Sequence, residues 1–131
     1  MSAILQKQVT SAASLTTSAN TELLCAYSGR MEANFPTIRA IIRGWVQVAF
    51  AASTTGVILR LRRGNGITGT VVAGGNTQLV TASTTTQASI WFSEQLLNVE
   101  FADYSLTIQT VAAGANSTVN LAQIEVESIN G

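Results

Sequence analysis

The sequence predicts an all-β fold, an antiparallel β-sandwich of jelly-roll type with eight or nine short strands. Apolar and polar residues alternate at a period of two along most of the chain. No segment shows the apolar stripe of an amphipathic helix. Turns rich in Gly and Asn separate the apolar runs at spacings of about 8–14 residues, which is typical of sandwiches and barrels. An immunoglobulin-type sandwich is less well supported, because its Cys–Trp–Cys pattern is absent.

The chain is predicted to consist of a polar N-terminal arm, residues 1–20, and a single β-sandwich domain, residues 21–131. The arm is rich in Ser, Thr and Ala and contains one short apolar patch, at Ile4 and Leu5. This patch places a first short strand at residues 4–9, either in the arm or at the edge of a sheet.

The central segment shows the clearest alternation. Residues 45–50 and 57–63 predict a β-hairpin, and Gly44 interrupts the preceding strand, which indicates a β-bulge or a close backbone approach. Gly64-Asn65-Gly66 is a strong turn signal, because Gly and Asn tolerate a positive φ. The other predicted elements are strands at residues 21–27, 37–43, 67–72, 77–81 and 87–92, a turn at 74–76, one helical turn or irregular chain at 94–98, and a closing hairpin of 104–110 with 119–129.

Charge is scarce in this chain. Asp, Glu, Lys and Arg make up 11% of the 131 residues, where an average globular domain has about 25%. The seven acidic and seven basic residues cancel, so the chain lacks the positive excess that binds nucleic acid. All basic residues except Lys7 are Arg, which is enriched at protein interfaces. Because a weakly charged surface tends to associate, we expect much of it to be buried in an oligomer or a larger assembly.

The residue inventory argues against catalysis, and we predict no catalytic, cofactor-binding or metal-binding residue. The chain has no His, the commonest general base, and its single Cys, Cys25, lies in an apolar run that predicts a buried small hydrophobe. Glu125 and Glu127 share one strand face, which indicates the solvent side of a sheet rather than the carboxylate pair of a glycosidase. Residues 64–69 match G-x-G-x-x-G, but their strand–turn–strand context predicts a hairpin and not a phosphate loop.

Arginines, tryptophans and the N-terminal apolar patch supply the candidate interface residues. These are Ile4, Leu5, Arg39, Arg43, Trp45, Arg60, Arg62 and Trp91. Alternation places each arginine pair on one face of its strand, as a docking row for carboxylates or as a solvated sheet face. Both tryptophans lie opposite the predicted core positions of their strands. Such a Trp can anchor a subunit interface, pack in the core or stack on a sugar, and the low charge favours the interface.

Four segments after the polar arm carry a resemblance to a known family. They are the strand Trp-Val-Gln-Val-Ala-Phe paired with Val-Ile-Leu-Arg-Leu-Arg, and the closing pair Tyr-Ser-Leu-Thr-Ile-Gln-Thr with Ala-Gln-Ile-Glu-Val-Glu. Over about residues 37–129 the chain resembles the small jelly-roll virion proteins of tailed bacteriophages, whose fold is similar to tumour-necrosis-factor and C1q-type modules. The resemblance implies a non-enzymatic protein that caps or decorates capsids, often as a trimer, or forms part of a tail or fibre.

The sequence therefore predicts a non-enzymatic virion structural protein that trimerises and decorates or stabilises a phage capsid. Its expected partners are further copies of itself and the major capsid protein or another virion protein, with no nucleic acid and no membrane. The start lacks the features of a signal peptide, and no run reaches the ~18 apolar residues that span a bilayer. We therefore expect synthesis in the host cytoplasm and a final place in the virion. A phage tail or fibre component and a carbohydrate-binding β-sandwich module remain alternatives.

Overall fold

The computed structural model describes residues 3–11, 15–18, 21–32, 37–49, 56–78, 85–97, 101–111 and 116–130. Within these residues the chain forms strands and no helix. The strands are β1 (Ala3–Ser11), β2 (Leu15–Thr16), β3 (Leu23–Tyr27), β4 (Met31–Glu32), β5 (Thr37–Ala49), β6 (Val57–Arg63), β7 (Val71–Gln78), β8 (Thr85–Leu97), β9 (Phe101–Ala102), β10 (Tyr104–Thr110) and β11 (Thr118–Asn130). No helix in the described ranges is long and apolar enough to cross a membrane.

Eight of these strands form two packed antiparallel sheets. The first sheet has the order β1-β11-β5-β8, with β2 paired to the end of β11, and the second has the order β3-β10-β6-β7. The short strands β4 and β9 pair separately. Along the chain, every step from one of these eight strands to the next passes to the other sheet, except the step from β6 to β7, which stays within the second sheet. This order is that of a jelly roll, and it confirms the predicted fold class.

The core lies between the two sheets and is built by the alternation that the sequence shows. Of the described residues, the most deeply buried large side chains come from β5, β6, β10 and β11. They include Ile42, Leu59, Leu61, Leu106, Ile108 and Ile124. Most of the alternate residues on β5, β6 and β11 are charged or polar, as the period of two predicts, with Ile41 and Ile58 among the exceptions. β10 is buried on both faces, because Ser105 and Thr107 are also fully buried. Cys25 is also buried, as predicted, and desolvation raises the pKa of its thiol to about 12.

Both predicted long hairpins are wrong. β5 lies in the first sheet and β6 in the second, and β10 and β11 are separated in the same way. The apolar faces of β5 and β6 therefore line the core from opposite sheets instead of lying side by side. Alternation identifies the buried face of a strand, but a strand in a sandwich can cover its apolar face with either sheet.

Two local predictions around β7 and β8 are also wrong. Residues 74–76 do not form a turn, because β7 continues through them, and Glu94 to Leu97 extend β8 instead of forming a helical turn. The pairing of β6 with β7 contains register shifts, which glycines in a strand accommodate. The turn at Gly64-Asn65-Gly66 is confirmed, with φ values of 87° at Gly64 and 109° at Gly66.

Gly44 provides a close approach between the two sheets. β5 passes Gly44 without a register shift against either neighbour, so the alternative of a bulge is wrong. A Cβ atom built at Gly44 would lie 2.8 Å from Cδ1 of Leu106, a buried residue of the opposite sheet. The missing side chain at residue 44 therefore makes room for Leu106 in the core.

Candidate interaction surface

Four of the predicted interface residues lie together on the outer face of the first sheet. Arg39, Arg43 and Trp45 alternate along β5, and Trp91 projects from the neighbouring β8. The register pairs Arg43 with Trp91 and Trp45 with Ser89, so the two tryptophans are diagonal neighbours on one face. We call the surface formed by Arg39, Arg43, Trp45 and Trp91 the tryptophan face.

Trp91 is the most exposed large apolar side chain among the described residues, at 68%. Trp45 is only partly exposed. A depression of about 250 Å³ lies between the two rings and is lined by Arg43, Gly44, Trp45, Ser89, Ile90 and Trp91. The depression is open to solvent and is lined in part by apolar surface.

One of the two arginines of the tryptophan face has a carboxylate partner within the chain, and the other donates to a neutral hydroxyl. Arg43 donates a hydrogen bond of 2.7 Å from a guanidinium nitrogen (Nη1) to Oε1 of Glu125, which lies opposite it on β11. Arg39 donates from Nη1 to the hydroxyl of Ser93 over 3.0 Å. The Arg43 side chain remains 49% exposed, so the pair with Glu125 is a surface ion pair. The face therefore offers polar donors and an aromatic ring without a large net charge.

Arg60 and Arg62 lie on the outer face of the second sheet, away from the tryptophan face. Arg62 makes a bidentate pair with Glu22, with Nε–Oε2 and Nη2–Oε1 distances of 2.7 and 2.8 Å. Arg60 lies 3.4 Å from the same carboxylate and also donates to Gln109, while Thr107 donates its hydroxyl proton to Glu22. We call Glu22, Arg60, Arg62 and Thr107 the Glu22 cluster.

The charged side chains of the Glu22 cluster are mostly buried, because only 12–23% of the surface of each is exposed. The hydrogen bonds from Arg62 hold the pKa of Glu22 below its ordinary value. Both arginines thus have a carboxylate partner inside the chain. Replacement of both by Glu would place three carboxylates together, so a loss of assembly in that variant would not separate docking from folding.

A second polar group links the two sheets at one end of the sandwich. Glu94 occupies an inward-facing position of β8, in register with Ala88, Ile90 and Phe92. It accepts hydrogen bonds from Arg63 of β6 and from the hydroxyl of the buried Tyr104 of β10. Burial and the hydrogen bond to Glu94 raise the pKa of Tyr104.

The remaining predicted residues, Ile4 and Leu5, belong to β1, which pairs with β11 along the edge of the first sheet. Their side chains lie outside the described part of the structure. Sequence reasoning missed Glu22 as the partner of the arginines and Glu94 as the link between the sheets. Glu94 had a detectable signal, because it is a charged residue at an apolar position of an alternating strand and so needs a partner. Within the described residues, no group of three His, Cys, Asp or Glu side chains could hold a metal ion.

Comparison with known proteins identifies relatives of the fold only. No protein-family model and no curated protein matches the sequence. The solved structure of infectious bursal disease virus Gx strain matches with a TM-score of 0.56 and 14% identity, over 94% of this chain and 32% of that chain. The VP2 subviral particle of infectious bursal disease virus matches with a TM-score of 0.57 and 11% identity, over 98% of this chain and 34% of that chain. This chain therefore spans about a third of the length of those chains and shares their β-sandwich fold.

Proposed function

We propose that the protein is a non-enzymatic virion structural protein, which trimerises and decorates or stabilises a phage capsid. The observation that carries the proposal is Trp91, a tryptophan 68% exposed at the midpoint of the edge strand β8 in a chain with 11% charged residues. A large aromatic residue on a weakly charged surface is typical of a subunit contact. The likeness of the fold to structures of a virus and its subviral particle supports a place in a virion.

The tryptophan face is proposed as the docking surface. Trp91 would supply the apolar anchor, and Arg39 and Arg43 would supply hydrogen-bond donors at its rim. A decoration protein that contacts several coat subunits at once adds its binding free energies to the stability of the shell. The assignment to a phage and to a trimer rests on the family resemblance of the sequence.

The oligomeric state is the first test. Size-exclusion chromatography with light scattering should give a species of three 13.7-kDa chains at micromolar concentration. A monomer at every concentration tested would contradict both the trimer and the explanation of the low charge.

Docking is tested by capsid occupancy. Trp91→Ser should reduce the amount of protein retained on capsids purified without it, because truncation of a central aromatic anchor typically costs at least about 2 kcal/mol of binding. Ile67→Ser is the matched control, because Ile67 is an exposed apolar residue, at 41%, on the distant loop between β6 and β7. Equal retention of the two variants would contradict docking through the tryptophan face.

A carbohydrate-binding function is the second candidate, and the depression between Trp45 and Trp91 favours it. A sugar ring can stack on an exposed indole while Arg43, which lines the depression, donates hydrogen bonds to its hydroxyl groups. Saturable quenching of tryptophan fluorescence by an oligosaccharide, lost in Trp91→Ala, would support this function. An unchanged spectrum across a panel of neutral and acidic oligosaccharides would contradict it.

A further inference from the structure

The open edges of the two sheets differ in how well they are protected from pairing with another chain. An edge strand presents unpaired backbone N–H and C=O groups, and proteins normally protect it by short length, Lys, Pro or β-bulges. The edge strands of this sandwich are β1, β8, β3 and β7. β1 contains Lys7 and a register shift, β3 has five residues and a register shift, and β7 pairs with register shifts.

β8 lacks this protection. It has 13 residues, contains no Lys, Arg, Pro or Gly, and pairs with β5 without a register shift. Its only charged residue, Glu94, points between the sheets, a position from which a charge can protect an edge, but Arg63 of the same chain pairs with it. In the described part of the chain only β5 pairs with β8, and the Ser89–Trp91 stretch lines an open depression of about 260 Å³ together with Ala73 and Gly74 of β7.

Between Gln87 and Gln95, the outward-facing side chains of β8 read the same in both directions. In order they are Gln87, Ser89, Trp91, Ser93 and Gln95, with Trp91 at the midpoint of the strand. An antiparallel copy centred on Trp91 would place Trp against Trp, each Ser against a Ser and each Gln against a Gln. On the inner face it would place Ile90 against Phe92, and Ala88 against Glu94. No like charges oppose each other at any of these positions.

We propose that β8 is a two-fold pairing edge. β8 of a second copy of this chain adds to it in antiparallel orientation about Trp91, so that the first sheets of two copies form one continuous sheet. A two-fold contact requires a self-complementary surface in which residue i meets j and j meets i, and the order of side chains along β8 meets this requirement. The inference goes beyond the proposed function, because this contact needs neither a trimer nor a capsid. In a trimeric decoration protein it would join one trimer to the next.

Disulfide cross-linking tests the predicted register directly. In the pair, Ser89 of one copy faces Ser93 of the other at a Cα separation of about 4.5–5.5 Å, which suits a disulfide. The variant S89C/S93C should therefore oxidise to a covalent dimer on a non-reducing gel. Q87C/S89C is the matched control, with two cysteines on the same face that do not face each other across the two-fold axis. Native Cys25 is buried and should not interfere.

Charge substitution tests the same contact without a covalent bond. Gln87 of one copy faces Gln95 of the other, and both side chains are exposed. Q87E/Q95E places Glu against Glu at two positions, whereas Q87K/Q95E places Lys against Glu. Because position 95 is the same in both variants, its contacts within the chain are matched. The dimer dissociation constant, measured by analytical ultracentrifugation, should be at least about tenfold higher for Q87E/Q95E.

The outcomes separate this inference from the proposed trimer. A cross-linked dimer of S89C/S93C, together with weaker association of Q87E/Q95E, supports β8 pairing whether or not light scattering finds a trimer. A trimer whose S89C/S93C variant cross-links no better than Q87C/S89C overturns β8 pairing and leaves the proposed function standing. Equal dissociation constants for the two charge variants also overturn the inference.

Discussion

The Glu22 cluster gives a quantitative test of what holds the second sheet together. Glu22→Gln keeps the shape of the side chain but removes the charge that Arg60 and Arg62 share, and it turns an amide N–H₂ toward their donors. An exposed ion pair contributes about 0–1 kcal/mol, whereas loss of one partner from a buried pair costs about 3–5 kcal/mol. With 12–23% of these side chains exposed, we expect a loss of about 2 kcal/mol in the free energy of unfolding.

Chemical and thermal denaturation measure this loss. In a domain of 131 residues, 2 kcal/mol corresponds to a decrease in Tm of roughly 6–10 °C. Glu125→Gln is the matched control, because it makes the same substitution opposite Arg43, whose side chain is 49% exposed. This control should lose less than about 1 kcal/mol. If the two variants lose equal stability, the argument from partial burial is wrong.

The lowered pKa of Glu22 predicts how the difference in stability between the wild-type chain and Glu22→Gln depends on pH. A carboxylate with a lowered pKa in the folded state stabilises the fold fully above its unfolded pKa, near 4.5. This stabilisation is lost as the pH falls through the folded pKa, because the carboxyl group is then protonated in both states. The stability gap between the wild-type chain and Glu22→Gln should therefore narrow steadily below pH 4.5. A gap that stays constant down to the acid unfolding transition would refute the assignment to the carboxylate charge.

Three further predictions follow from the core. Gly44→Ala should lower the free energy of unfolding by about 1–3 kcal/mol, because the added Cβ clashes with Leu106. The loss should be smaller when Leu106 is also replaced by Ala, and a double-mutant cycle by urea denaturation measures this difference. Tyr104→Phe removes a hydrogen-bond donor from the half-buried Glu94 and should lower the free energy of unfolding by about 1–3 kcal/mol in the same assay. An unchanged free energy of unfolding would mean that Arg63 alone satisfies the Glu94 carboxylate. Cys25 should react with a thiol reagent only at the rate of unfolding, because burial raises its pKa to about 12, and fast labelling of the folded protein would contradict its buried position.

The sequence predicted the faces of the strands better than their partners. Alternation correctly turned Trp91 outward between Ile90 and Phe92, and it placed Arg39 and Arg43 on the exposed side of β5. These orientations depend on a period of two within one strand, which a few neighbouring residues determine. The pairing of β5 with β8 and β11 depends instead on contacts between residues far apart in the chain. Strands that follow one another in the sequence were therefore predicted to pair as hairpins, although most consecutive strands of a jelly roll lie in opposite sheets.

The two arginine pairs show where sequence reasoning about the site ends. Arg39 and Arg43 carry the same alternation signal as Arg60 and Arg62, and the sequence offers the same two interpretations for both. The difference comes from Glu22, which lies about 40 residues before Arg62 and reaches it only after β3, β10 and β6 have paired. Because that carboxylate already binds Arg60 and Arg62, their guanidinium donors are less available to a partner than those of Arg39, which donates to the neutral hydroxyl of Ser93. Docking through arginine should therefore use the tryptophan face, and Arg39→Glu should weaken it more than Arg60→Gln.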